Sequence, residues 1–234
     1  MLAGMQCPDL ALVKMKHPGL STQVVFKSNE RAAQLGITRK KSLRKSMSNT
    51  IEYKILKGDE ISRYLEELVQ LRIRTFKEWP YLYEANKDEE YEYLGNFITS
   101  NESVVVLALV NDQIVGALTG IVLADSVQKF TELFNQHNLD PYRYFYLSEA
   151  MIIPSYRGQK LIFSMYNEMK QAAPRKPMCF AMIERSEHSR SFDLLALKYG
   201  FEYAPHLQCI LPWKEITSHK IVPHRLTFWV EKSN

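Results

Sequence analysis

The residues best equipped for chemistry lie between Tyr144 and Lys170. An apolar run from Tyr144 to Ile153 carries one carboxylate, Glu149, and stops at Pro154. Ser155-Tyr156-Arg157-Gly158-Gln159-Lys160 then turns the chain into a helical segment. A strand that passes through an Arg-Gly turn into a helix N-terminus leaves several backbone N–H groups unpaired and pointing one way, beside a permanent positive charge. Such a turn suits a phosphate; its plainer reading is a strand-to-helix turn with Arg157 as a surface charge. Glu149 suits proton transfer, because burial in an apolar strand raises a carboxyl pKa toward the range of a general base. A second reading ties the same carboxylate to a buried arginine, with Arg185 as the partner. Strand alternation sets Glu149 on one side with Leu147 and Met151, and Ser148 and Tyr146 on the other.

The elements that must position these groups follow from periodicity. Ile51 to Leu56 alternates as a half-buried strand and Gly58 breaks it. From Asp59, read as an N-cap, the spacing of Ile61, Leu65, Leu68, Val69, Arg72, Ile73 and Phe76 predicts a helix that ends by Pro80. A second helix is expected over 88–98. Valine-rich 103–110, the turn Asn111-Asp112 and 114–123 read as a hairpin. Residues 125–140 carry a further helical pattern. After the motif strand, Leu161, Met165 and Met169 form one stripe with Ile162 and Tyr166 beside it, which predicts a helix lying on a sheet. A strand over 178–183, a helix over 192–199 and strands over 206–211 and 225–230 complete the pattern. The fold class is therefore α/β, a mixed and strongly twisted sheet of about six to seven strands flanked by helices.

At 234 residues and 46% apolar content the chain supports one sizeable core. No segment offers the roughly 18 uninterrupted apolar residues of a membrane helix, so no membrane role is expected. The three cysteines, Cys7, Cys179 and Cys209, lack metal-ligand spacing and a disulfide pattern; no metal is expected, and a reducing cytoplasm fits. Residues 1–47 hold nine Lys/Arg against two Asp/Glu, a net +7, whereas the remainder is −3. The expected division is a basic, flexible leader over 1–47 and one domain over 48–234. A natural start at Met47 is a second reading of the leader. Its cluster Arg39, Lys40, Lys41, Arg44 and Lys45 raises nucleic-acid contact as a third function class, although no recognition motif accompanies it.

The run Ile152-Ile153-Pro154-Ser155-Tyr156-Arg157-Gly158-Gln159 resembles the acyl-CoA-binding motif of the GNAT superfamily of N-acetyltransferases. The stretch from Leu195 to Phe201, ending Tyr199-Gly200-Phe201, resembles that family's late helix and its closing Gly-Phe pair. Phe76 to Glu84, Ser148 to Met151, Glu184-Arg185 with His188, Trp213-Lys214 and Phe228-Trp229 are similar to a group of bacterial GNAT proteins of unassigned substrate. The resemblance spans roughly residues 50 to 234 and implies a GNAT-like acyltransferase domain. It also implies acetyl-CoA as acyl donor, with Met151, Ile152 and Ile153 along the pantetheine arm and the Ile152 N–H polarising the thioester carbonyl. Arg157, Gly158, Gln159, Lys160 and Leu161 fall at the pyrophosphate turn, where Lys160 and Ile162 replace the family's Gly and Gly/Ala. A φ below zero at Lys160, as in a first helical turn, would tolerate the side chain. The family's Tyr general acid is replaced by Ala196, and Tyr199 is set over another part of the helix.

Glu149, as the isolated carboxylate of the apolar strand, is the candidate base and Glu184 a second acidic option. Tyr81, Tyr83 and Arg185 are substrate-side candidates; Trp79 is read as a core cap and His188 as a loop residue. The expected function is direct transfer of an acetyl group, in a ternary complex, to an amine on a small molecule or a protein, by a monomer or homodimer. The alternative is a catalytically degenerate domain of the same shape that binds acyl-CoA or a partner.

Overall fold

The computed structural model describes residues 50–184 and 190–232, with backbone alone for 190–193; the leader, Arg185 and His188 lie outside the described residues. One seven-stranded mixed sheet has the order β1-β2-β3-β4-β5-β7-β6, with β1 Glu52–Leu56, β2 Val104–Val110, β3 Gln113–Val122, β4 Phe145–Ile152, β5 Met178–Ile183, β6 Phe201–Lys214 and β7 Ile221–Glu231. All neighbours are antiparallel except β4 and β5. Helices α1 Leu65–Phe76, α2 Lys87–Thr99, α3 Gln128–Gln136, α4 Leu161–Ala172 and α5 Arg190–Tyr199 flank it.

The alternation of β2 shows how the sheet is covered on both sides. Val105 and Leu107 enter the core formed with Leu68, Val69, Leu94 and Phe97 of α1 and α2. Val104, Val106 and Ala108 enter a second core with Leu161, Met165, Tyr166 and Met169 of α4. The predicted α4 stripe is thus buried as expected. Asn111 and Asp112 turn the β2–β3 hairpin at φ +51° and +63°, the left-handed pair that a two-residue hairpin loop requires. Gly120 lets β4 approach, since an added Cβ there would stand 2.3 Å from Phe145 Cε1.

Three boundaries depart from the sequence pattern. Asp59 does not cap α1: it sits inside a 3-10 segment, Gly58–Tyr64, that precedes the helix. α2 begins one residue early, because the Asn86 side chain accepts a 3.0 Å hydrogen bond from the Asp88 amide. The final hairpin runs well beyond 206–211 and 225–230. Pro205, Pro212 and Pro223 mask its period, and a register shift between Ala204 and Gln208 absorbs the first of them.

Candidate active site

β4 and β5 run parallel but keep register only at Phe145↔Met178 and Tyr146↔Cys179. Beyond Tyr146 the strands diverge. A cavity of about 470 Å³ fills the gap. It is lined by Leu118, Ile162, Tyr166 and Leu195 from the α4–α5 side and by Arg72, Phe76, Tyr81, Tyr83 and Tyr93 from the α1–α2 side. Residues of both cores border one space, so the opening passes through the sheet.

Glu149 reaches this cavity through a β-bulge. Thr119 pairs with Glu149 and Gly120 with Leu147, leaving Ser148 as the extra residue on β4. The bulge cancels the simple alternation. Leu147 packs in the α4 core, whereas Tyr146 and Met151 pack in the α1–α2 core. Ser148 and Glu149 both meet that second side: the Ser148 and Tyr93 hydroxyls are 2.5 Å apart, and Arg72 Nε donates to Glu149 Oε1 at 2.7 Å. The expected sharing of a face by Glu149 and Leu147 is therefore corrected. An extra residue resets the period in a way that counting by twos cannot register.

The buried arginine beside Glu149 is Arg72 of α1. Its Nη1 also binds Glu90 of α2, whose side chain is 1% exposed. Phe76, Tyr83 and Tyr93 surround the guanidinium, with centroids 5.2, 5.6 and 4.4 Å away. Burial opposes the guanidinium's charge, but Glu149, Tyr93 and Glu90 together hold its pKa above the usual value. Burial pushes the Glu149 carboxyl above the ordinary carboxylate range, with Arg72 pulling the other way. One oxygen of each carboxylate, Glu149 Oε2 and Glu90 Oε1, is buried without a hydrogen-bond partner. Two carboxylates against one guanidinium leave this cluster with a formal charge of about −1 when both are ionised.

The α1–α2 loop and the β6–β7 hairpin close over the same side. The Glu84 amide donates to Lys214 O at 2.8 Å, the Ile216 amide to Leu82 O at 2.7 Å, and Trp213 Nε1 to Tyr81 O at 3.0 Å. Glu84 also meets Lys214 Nζ and His219 Nδ1, each at 2.6 Å. Within this roof Tyr81 and Tyr83, both predicted on the substrate side, line the cavity. Burial raises each phenol to about 12, with the charge of Glu149 adding at Tyr81 and that of Glu90 at Tyr83. Trp79 is 47% exposed, so its reading as a core cap is corrected. Glu184 is also exposed, 3.8 Å from Arg225 Nε.

The turn after β4 has a positive φ at Gly158, +75°, and at Lys160, +63°. The negative φ under which a lysine would sit there without strain is not found: Lys160 precedes the first turn of α4 and holds the left-handed geometry that glycine adopts freely. An added Cβ on Gly158 would meet nothing within 4 Å. Among the described residues, no backbone carbonyl takes the N–H of Gly158, Gln159 or Lys160. Successive amides of this kind form an anion-binding concavity. Arg157 turns back from the concavity, donating from Nε to Ile152 O at 2.9 Å and from Nη1 to Glu78 at 2.6 Å. The Ile153 amide donates to Val115 O at 3.0 Å. By the alternation of an antiparallel ladder, the amides of Ile152 and Ala150 face the gap instead.

Ala196 is fully buried in the α4 core, and Tyr199 hydrogen-bonds Asn167 Oδ1 at 2.7 Å, away from the cavity lining. Cys179 and Cys209 are buried, unpaired thiols. Among the described residues no group of three or more His, Cys, Asp or Glu is placed to hold a metal ion, and no helix is long and apolar enough to cross a membrane. Sequence reasoning passed over Arg72 and Glu90 as chemical residues. Each was visible as a charge inside an apolar stripe: Arg72 among Leu68, Val69 and Phe76, and Glu90 four before Leu94 and seven before Phe97.

No protein-family model matches the sequence, and no curated protein matches it. The architecture does match solved structures. Arabidopsis thaliana NAA60 in complex with acetyl-CoA aligns at 14% identity over 77% of this chain and 97% of that one, with a TM-score of 0.50. An N-acetyltransferase from Staphylococcus aureus Mu50 aligns at 11% identity over the same shares, also with a TM-score of 0.50. The chain has the fold of the GNAT acetyltransferases.

Proposed function

We propose that this protein is a GNAT-superfamily N-acetyltransferase that passes an acetyl group directly from acetyl-CoA to an amine. The observation that carries the reading is the cavity crossing the sheet where β4 and β5 part, with a buried carboxylate on its α1–α2 side, followed along the chain by a turn whose amides meet no backbone carbonyl among the described residues. The unpaired amides of Gly158, Gln159 and Lys160, with the α4 N-terminus and Leu161, would hold the diphosphate. The space around Gly158 fits that role. Met151, Ile152 and Ile153 would border the pantetheine arm, and the gap-facing N–H of Ile152 would polarise the thioester carbonyl.

From the other face an uncharged amine attacks that carbonyl carbon. The N–C bond forms, the C–S bond breaks, and the pair in that bond leaves on sulfur. An amine enters protonated, since its pKa is near ~10. Glu149, raised by burial, takes its proton directly or through water, and the second proton, lost from the nitrogen as the amide forms, passes to the departed thiolate or to solvent. The leaving thiol has a pKa of about 8.5 and departs as thiolate, so the alanine at 196 does not block the reaction. The likeness of Phe76–Glu84 and Trp213–Lys214 to bacterial members of unassigned substrate sets the chain beside them on this reading. Unpaired Cys179 and Cys209 suit a reducing cytoplasm.

Thermal unfolding with added acetyl-CoA tests donor binding. At a hundred times Kd it should stabilise the fold by about 2.7 kcal/mol, and no stabilisation contradicts the proposal. Free-thiol release over a panel of amines tests transfer. Stabilisation without release on any amine leaves the rival, an acyl-CoA-binding module, in its place.

A further inference from the structure

Resting on the transferase reading above, we infer that the acceptor is a small primary amine with a single positive charge on an uncharged apolar body, arylalkyl in type. The charge inventory of the cavity's described lining residues selects it. Among the described lining residues only Arg72 and Glu149 are charged. Arg72 is already committed to Glu149 and Glu90, and three aromatic rings cover its guanidinium. What remains for a newcomer is the excess negative charge of the cluster, presented at the cavity by Glu149, whose Oε2 lacks a hydrogen-bond partner. A single ammonium meets that excess.

The same inventory rejects other amines. An amino acid brings a carboxylate, for which no uncommitted cation lines the described cavity, and burying it unpaired beside Glu149 is costly. A polyamine or an aminosugar brings further ammonium groups, and away from Glu149 the described wall offers no second carboxylate. Pro80, Tyr81, Leu211, Pro212 and Trp213 form that wall, with the Tyr81 and Trp213 rings 6.3 Å apart. Such a surface takes an aromatic or branched apolar body. A peptide N-terminus brings backbone groups that need partners and a chain that must leave the site. The roof stands across its way, tied by three backbone or indole hydrogen bonds and the two contacts of Glu84.

The test measures 2-phenylethylamine, phenylalanine, spermidine and a tetrapeptide with a free N-terminus against the full chain. Calorimetry with and without saturating coenzyme A gives binding, and thiol release with acetyl-CoA gives kcat/KM. The expected result is a preference for 2-phenylethylamine of more than about tenfold over each of the others in both readouts. Glu149→Gln should weaken 2-phenylethylamine binding by about tenfold or more while leaving the uncharged 2-phenylethanol unchanged. Equal or better use of phenylalanine, spermidine or the peptide overturns the inference, as does no binding of 2-phenylethylamine in either condition. Acetyl-CoA binding, read separately by thermal unfolding, distinguishes the two failures. Donor binding with the wrong amine preference overturns only the acceptor class, whereas absent donor binding removes the transferase reading itself.

Discussion

On the α4–α5 face, the gap between β4 and β5 is bordered by apolar side chains; on the α1–α2 face, by a buried arginine, the carboxylate Glu149 with Glu90 behind it, and a set of tyrosines. On the proposed function the first face works through backbone amides, and Lys160 in a left-handed conformation leaves their direction to the turn rather than to its side chain. The second works through side chains held in fixed geometry by a bulge and an ion network, where a single change leaves a charge unpaired. A donor common to many enzymes suits the first kind of surface. An acceptor peculiar to one suits the second.

The contrast is tested most severely at Glu149. Glu149→Gln keeps the shape and removes the base, so kcat should fall by roughly 10²- to 10⁴-fold with acetyl-CoA affinity unchanged. A parallel loss of donor affinity would erase the distinction between the faces. In the wild type, kcat/KM should rise with pH through the Glu149 ionisation, above the ordinary carboxylate value of about 4.3. Because the folded-state pKa is the raised one, the folded protein holds this proton to higher pH than the unfolded chain. The Glu149 contribution to stability therefore declines as pH climbs from about 4.3 through the folded value, and this slope should vanish in the Gln variant.

Next in size, Arg72→Ala strands Glu149 and Glu90 together in the interior and should cost roughly 3–5 kcal/mol in denaturant unfolding. A loss below about 1 kcal/mol would mean the network is solvated and adds little. On the opposite face, Gly120→Ala drives a methyl into the Phe145 ring and toward Met169 Sδ. It should destabilise by about 1–3 kcal/mol without moving the pH profile, since no acid or base is touched. Smallest is Lys160→Gly, which relieves a left-handed lysine and should stabilise by about 1 kcal/mol, with acetyl-CoA affinity held within a few-fold if the amides do the binding. A large loss of affinity would show that the Lys160 ammonium, rather than the backbone, grips the donor.

The helices, the hairpin and the α4 stripe were legible because periodicity and turn residues act locally: Asn111-Asp112 and the Leu161-Met165-Met169 spacing carry their own geometry. The Arg-Gly turn and Glu149 were legible for the same reason. Legibility ended where distant segments decide. Arg72 and Glu149 are 77 positions apart, and nothing near Glu149 in sequence names its partner. The Ser148 bulge is written in its register with β3, not in its own strand. The roof needs Trp213 to find Tyr81 across 132 positions. The conformation of Lys160 was hidden for a different reason, since a residue type that dislikes a left-handed turn gives no sign of occupying one.

The most direct test is a crystal structure with acetyl-CoA bound. The thioester carbonyl oxygen should lie about 2.7–3.1 Å from the Ile152 nitrogen, with the acetyl methyl directed through the opened sheet toward Glu149 and the diphosphate on the amides of Gly158 to Lys160. A pantetheine arm lying outside the gap, or a diphosphate excluded by the Lys160 side chain, would contradict the account.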